Sequence, residues 1–292
     1  MKLLLIGKNG QVGQELQRTL LPLGELAALG RDGLDLGDLG AVQRVLAEQA
    51  PDVIVNASAY TAVDRAESDE AGATAVNAGA VAALAAYART HGALLVHYST
   101  DYVFDGAKDG PYREDDATAP QSAYGRSKRA GEEAILASGC RALVFRTSWV
   151  FSSHGGNFIK TMLRLAGERD SLSVVADQFG APTSAELIAD VTALAIAAYR
   201  RGALEGGIYH LTAAGATSWH GLASYAIERA MARGAQLKAG PAQIKPIATE
   251  AYPLPAQRPR NSRLDTSKLC GALDLQMPDW KVHVDRLIDQ LS

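Results

Sequence analysis

The chain has 292 residues, enough for one large α/β domain with a smaller lobe and a sizeable core. Its 29 basic and 32 acidic residues nearly cancel, which excludes the basic face of a nucleic-acid-binding protein. Cys140 and Cys270 stand far apart, with no metal-ligand spacing and no disulfide framework, so a reducing, cytoplasmic setting is expected.

In chain order, residues 3–6 read as a buried strand, 11–21 as a helix and 26–29 as a second strand. Residues 39–49 are helical in pattern, 53–57 a strand, and 68–91 one long run of helix formers. The strand at 94–98, the helix at 124–137 and the strand at 142–146 complete the series. Continuous apolar strands separated by helices imply a doubly wound parallel sheet, Rossmann-type, over residues 1–150. Residues 151–292 read as a smaller substrate-binding lobe, with a segment at about 170–212 returning to the sheet. In it, 157–166, 185–200, 219–232 and 280–291 are helical and 208–211 is a strand. The stretch carrying Pro246, Pro253, Pro255 and Pro259 reads as an ordered loop over a site. The apolar run at the start is too short for a signal peptide, and no later stretch reads as a membrane span.

Gly7, Gly10 and Gly13 follow the first strand and open the first helix. Glycine allows the tight turn and close approach of backbone to a pyrophosphate, whose charge the free N–H groups of the helix start attract. A dinucleotide site is expected there. The second strand is followed by Gly30 and Arg31, and arginine suits a 2′-phosphate, which favours NADPH over NADH; a solvated surface arginine is the alternative. Asp35 and Leu36 are placed to flank the adenine, or Asp35 caps the next helix.

Tyr124 and Lys128 are four apart at the start of a helix, so both lie on one face. A nearby ammonium favours phenolate, and the expectation is that Lys128 lowers the Tyr124 pKa and holds the nicotinamide ribose. Thr100 and Asp101 follow the strand at 94–98, at the carboxyl end where open α/β sheets bind ligands. A Thr100 hydroxyl there can bond the carbonyl being reduced. Asn56 ends the preceding strand, and Asn77 on the next helix either positions backbone nearby or bonds within its helix. Trp149 is placed to stack on a sugar or base, or is a core residue. Arg258 or Arg260 can pair with a diphosphate. His97, His154 and His210 have no metal-ligand spacing and read as structural.

The segments LLLIGKNGQVGQEL, HYSTDYVFDG, YGRSK, DQFGAPTSAELIAD and RPRNSRLDT follow one another as they do in the dTDP-4-dehydrorhamnose reductases, extended short-chain dehydrogenases/reductases that this chain resembles nearly throughout. The resemblance implies reduction of the C4 ketone of dTDP-4-dehydro-β-L-rhamnose, and a homodimer. It implies Thr100, Tyr124 and Lys128 as catalytic residues, and Gly10, Gln11 and Val12 as the pyrophosphate turn. It further implies Ala59, Tyr60 and Thr61 as cofactor contacts, and Thr100, Asp101 and Trp149 as substrate contacts. The chain departs from the pattern at Gly30, where an aspartate is common. Some family dimers carry a Mg²⁺ bridge built on glutamates; Glu15 and Glu186 match two such positions, while Gln290 stands where a carboxylate is expected. Two other readings stay open: a sugar-nucleotide epimerase or dehydratase of the same family, and a non-catalytic regulatory subunit. Tyr102 after Asp101 argues against the dehydratase, and the intact Thr100, Tyr124 and Lys128 set against the subunit.

Overall fold

In the computed structural model, which describes residues 1–291, six strands build one sheet. They are β1 (Lys2–Ile6), β2 (Glu25–Leu29), β3 (Val53–Asn56), β4 (Leu94–Thr100), β5 (Arg141–Thr147) and, after β6 (Leu172–Val175), which lies elsewhere, β7 (Gly207–His210). All pairings are parallel, in the order β2-β1-β3-β4-β5-β7. The chain moves from β1 outward to β2, then crosses back to β3, which puts the reversal of strand order between β1 and β3. Ligands bind at such a crevice.

Alternation along each strand divides the core. Leu3, Leu5, Val53, Val55, Val96, Leu143 and Phe145 face α1 (Gln11–Leu20) and α6 (Ala185–Arg200). Leu4, Ile6, Ile54, Leu95 and Val144 face α2 (Leu39–Gln49), α3 (Ala80–His91) and α4 (Ala123–Ser138). Each fully buried leucine here stabilises the sheet by roughly 2 kcal/mol. The parallel double-faced sheet expected from the sequence is present.

A separate core holds the second lobe. Ala166 of α5 (Phe158–Glu168), Ala223 and Ile227 of α7 (Trp219–Ala232), Leu172 and Val174 of β6, and Ile244 of β8 (Ile244–Ile247) pack together. The β6–β8 parallel pair departs from the loop expected there: Pro246 sits inside β8, and proline is tolerated where a strand has a free edge. The proline-rich stretch is therefore part strand and part loop. The last helix, α8 (Trp280–Leu291), returns to the main core through Val284, Leu287 and Ile288.

Two predicted elements differ. The helix expected over 68–91 is Glu70–Thr74, a π-helical turn at Ala75–Gly79, then α3. By length and composition the run Glu70–His91 is apolar enough to cross a bilayer, contrary to the sequence expectation. Ala80, Val81, Leu84, Ala85 and Ala88 nonetheless bury one of its faces, as in a core helix. Second, β4 runs on to Thr100, two residues past the predicted end, because its pairing with β5 continues through Thr100 opposite Thr147.

Candidate active site

The glycine turn lies at the crevice. Gly7 has φ +93°, and a Cβ there would come within 2.8 Å of the Ser58 backbone nitrogen beyond β3. A Cβ on Gly13 would strike the Gly7 carbonyl oxygen. Helix α1 starts at Gln11 after Gly10 with no side-chain cap and no acidic residue in its first turn. The N–H groups of Gln11, Val12 and Gly13 thus open onto the crevice without an internal acceptor. Donors, positive dipole and absent side chains suit a pyrophosphate, so the residues present fit a dinucleotide.

Just beyond β2, Arg31 is exposed and 3.3 Å from Asp35. Asp35 accepts from the Gly37 N–H, which holds its carboxyl below the usual range, with Arg31 adding to the effect. The cap of α2 is Asp38, which accepts from the Ala41 N–H, so the capping alternative for Asp35 does not hold. Leu36 is 3% exposed and packs with Val42 and Leu46 beneath the surface, so its side chain is part of the core. At Gly30, a Cβ would lie 2.6 Å from both Asn9 Nδ2 and Asp32 Oδ1; these side chains occupy the space an aspartate would take.

The segment Ala59, Tyr60 and Thr61 lies beyond β3 and is clamped from the π-helical turn. Asn77 Oδ1 accepts from Tyr60 N–H at 2.9 Å, and Asn77 Nδ2 donates to Tyr60 O at 3.1 Å and to Ser127 Oγ at 2.9 Å. The widened turn aims the amide out of the helix, so Asn77 positions backbone. The Tyr60 hydroxyl donates to Asp69 at 3.0 Å.

Helix α4 begins at Ala123, with Ser122 Oγ accepting from Gly125 N–H and Glu67 accepting from Ala123 N–H. This start sets Tyr124 beside the Thr100 hydroxyl. Thr100 itself donates to Asp101 Oδ1 at 3.1 Å. Burial pushes the Tyr124 phenol above its ordinary value, the Thr100 hydroxyl opposing and the Asp101 carboxylate adding. The expected lowering by Lys128 is absent. Lys128 Nζ instead donates to Tyr98 O at 2.6 Å and lies 3.2 Å from His97 Nε2. Burial drops the Lys128 ammonium to about 8, with Glu132 opposing. Asp101 is 3% exposed, Oδ2 has no hydrogen-bond partner, and burial raises its carboxyl to about 6 against the nearby Ser262 and Thr100 hydroxyls.

On the other wall, Trp149 has φ +50° and stacks on Trp219 at 3.5 Å. Gly180 makes room, since a Cβ there would be 2.6 Å from the Trp149 ring. Trp219 Nε1 donates to Gln178 at 3.1 Å. Arg258 donates to Asp64 Oδ2 at 2.6 Å and to the Tyr102 hydroxyl at 3.2 Å. Arg260 pairs with Glu250 on the exposed surface, away from this cluster.

The RmlD substrate binding domain family matches residues 1–292. A dTDP-4-dehydrorhamnose reductase of Burkholderia thailandensis is 50% identical, covering 100% of this chain and 99% of the relative. The chain belongs to the RmlD family of dTDP-4-dehydrorhamnose reductases. The family reductase of Escherichia coli K12 is 48% identical, over 100% of this chain and 98% of the relative. The crystal structure of the family reductase of Bacillus anthracis in complex with NADP has a TM-score of 0.90 at 34% identity, covering 100% of this chain and 99% of that one.

Glu15 and Glu186, the two glutamates singled out for a metal, lie near one another. Glu15 and Glu186 are close enough to repel, yet Glu186 accepts from Arg286 at 2.7 Å and from Gln290 at 3.1 Å. His154 lies 3.6 Å from Glu15 and His283 lies 3.7 Å from Glu186. A guanidinium already supplies the positive charge a cation would bring. No group of three or more metal-ligating side chains occurs among the described residues. Within one chain, Glu186 is therefore held by Arg286 and Gln290.

Sequence reasoning missed Asp64 and Trp219, whose partners are remote in the chain. His97, read as structural, is buried between Asn56 and Lys128. The signal lay in register: Asn56 of β3 stands beside His97 of β4, one residue before Tyr98, whose carbonyl holds Lys128.

Proposed function

We propose that the protein reduces the C4 ketone of dTDP-4-dehydro-β-L-rhamnose to dTDP-L-rhamnose with NADPH, as a cytoplasmic homodimer. The observation that carries this reading is Tyr124 beside Thr100 at the carboxyl end of β4, in the same parallel sheet whose first strand leads into the glycine turn. When bound, the nicotinamide supplies the hydride. Gly10, Gln11, Val12 and Gly13 hold its pyrophosphate, Ala59, Tyr60 and Thr61 border it, and Arg31 meets the 2′-phosphate. Thr100 and Tyr124 bond the substrate carbonyl oxygen, and Tyr124 gives its proton to the oxygen as negative charge develops there. A phenol kept protonated by burial suits reduction, which needs an acid. Lys128 orients the ribose.

Residues of both parts of the chain select the substrate in this reading. Trp149 stacks on its rings, Asp101 accepts from a sugar hydroxyl and Arg258 pairs with the diphosphate. Loss of absorbance at the NADPH band on adding the dTDP-ketosugar tests the reaction. Tyr124→Phe is expected to slow turnover roughly 10²–10⁴-fold. Wild-type turnover in that variant refutes the proton-donor role, and an inert cofactor in the wild type refutes the reductase.

A further inference from the structure

One short segment after β3 makes three contacts that the reaction as described does not use. It runs from Tyr60 to Glu67 through a single helical turn, Val63–Ala66. At its start, Asn77 clamps Tyr60 by both the backbone N–H, at 2.9 Å, and the carbonyl, at 3.1 Å. At its end, Glu67 Oε1 accepts from Ala123 N–H at 2.8 Å, where the helix bearing Tyr124 begins. Between the two, Asp64 reaches across to the loop at 252–260.

Asp64 makes that crossing with both carboxylate oxygens. Oδ1 accepts from Ala256 N–H at 3.2 Å, and Oδ2 accepts from the Arg258 guanidinium at 2.6 Å. Among the described residues, these are the two hydrogen bonds that join the loop to residues 57–77. The backbone N–H fixes the path of the loop, and the charged bond fixes the direction of the guanidinium. Arg258 also donates to the Tyr102 hydroxyl at 3.2 Å. Two of its N–H groups are thus committed, and the others are left for an anion.

We propose that Asp64 is a positioning residue that couples the two ligand sites: by tying the segment beside the cofactor to the loop carrying Arg258, it makes the substrate's diphosphate bind more tightly when the dinucleotide is in place. This rests on the reading of Ala59, Tyr60 and Thr61 as cofactor contacts and of Arg258 as the partner of the diphosphate. The physical ground is order. A dinucleotide against residues 59–61 restrains them, and with them the helical turn that holds Asp64. Arg258 then meets the diphosphate with less freedom left to lose. The coupling is reciprocal, so the diphosphate raises the affinity for the dinucleotide by the same factor. Through Glu67 the same segment bears on the first residue of α4, next to Tyr124.

Titration calorimetry with dTDP as the probe, with and without saturating NADP⁺, reads the coupling in the absence of turnover. In the wild type, NADP⁺ is expected to tighten dTDP by roughly 5-fold or more. In Asp64→Asn, which keeps the shape and removes the charge, the two dTDP affinities are expected to converge, with NADP⁺ alone binding as in the wild type. The Asp64 side chain is 38% exposed, so the substitution leaves the fold standing. A residue that merely braced the loop would weaken dTDP equally in both titrations and leave their ratio as it was; that result overturns the proposal. The wild-type comparison needs no variant. If dTDP binds the wild type with an affinity indifferent to NADP⁺, the proposal fails and the reductase reading stands. If dTDP does not bind at all, the reading of the site fails and takes the proposal with it.

Discussion

The Arg258 guanidinium bonds the Asp64 carboxylate at 2.6 Å, joining residues 194 apart in sequence. Asp64 also accepts from Ala256 N–H, so one carboxylate fastens the whole loop before Arg258. That loop lies over Tyr102, which packs edge-on against Tyr124 with centroids 5.6 Å apart.

Replacing Arg258 with alanine should therefore act on substrate more than on chemistry. A charged hydrogen bond is worth about 1.5–3 kcal/mol, so KM for the dTDP-sugar should rise roughly 10- to 100-fold with kcat changed far less. Steady-state kinetics check this. A fall in kcat with KM unchanged would contradict the assignment. Stability should change by only about 1 kcal/mol, since both side chains are partly in water.

Asp101 gives a pH dependence of definite sign. Its carboxyl rises from 3.8 to about 6 in the folded protein, so the folded state binds the proton more tightly. Between those values the unfolded chain has lost a proton the folded one keeps, and stability falls as pH rises. The contribution is about 3 kcal/mol at most. Urea unfolding of wild type and Asp101→Asn across pH 4 to 7 should show the wild type losing ground relative to the variant.

Gly7→Ala should abolish cofactor binding. A side chain at φ +93° costs about 1–3 kcal/mol in strain, and the Cβ would push Ser58 away from the crevice. Titration of the protein's fluorescence with NADPH reads the loss. Retained affinity would show that the dinucleotide lies elsewhere.

Arg31→Ala should weaken NADPH by roughly 10-fold and leave NADH unchanged. Arg31 is 87% exposed on its side chain and its one ion pair, with Asp35, is a surface pair of little weight, so the difference between the two cofactors isolates the 2′-phosphate. Equal weakening of both would remove that contact.

Chelation probes the glutamate pair. With Arg286 2.7 Å from Glu186, dialysis against EDTA should leave Tm and activity unaltered, and added Mg²⁺ should not raise Tm. A rise with Mg²⁺ would show that the cation displaces the guanidinium.

Features that depend on backbone are legible in the amino-acid sequence. Gly7 and Gly13 announce a turn because a side chain at either would strike backbone, and Tyr124 and Lys128 share a face because helices repeat at fixed spacing. What those two side chains touch is not legible there. Tyr124 lies beside Thr100, which comes from another strand, while Lys128 turns to Tyr98 O and His97. The same limit hides Leu36, whose place depends on α2 covering it, and Trp219, which lies 70 residues beyond Trp149 in sequence yet stacks on it in the fold. Glu15 and Glu186 read as free carboxylates because Arg286 comes from the last helix.

The π-helical turn at Ala75–Gly79 makes the length of this helix a coded quantity. The widened turn absorbs one extra residue without rotating the helical turns on either side, so deleting one between Ala75 and Gly79 would restore regular winding and keep the alanine face of α3 on the sheet, but would take away the turn that aims Asn77 at Tyr60. Insertions and deletions among natural variants should therefore spare this stretch while tolerating the surface loops, and a designer shortening the protein should cut elsewhere.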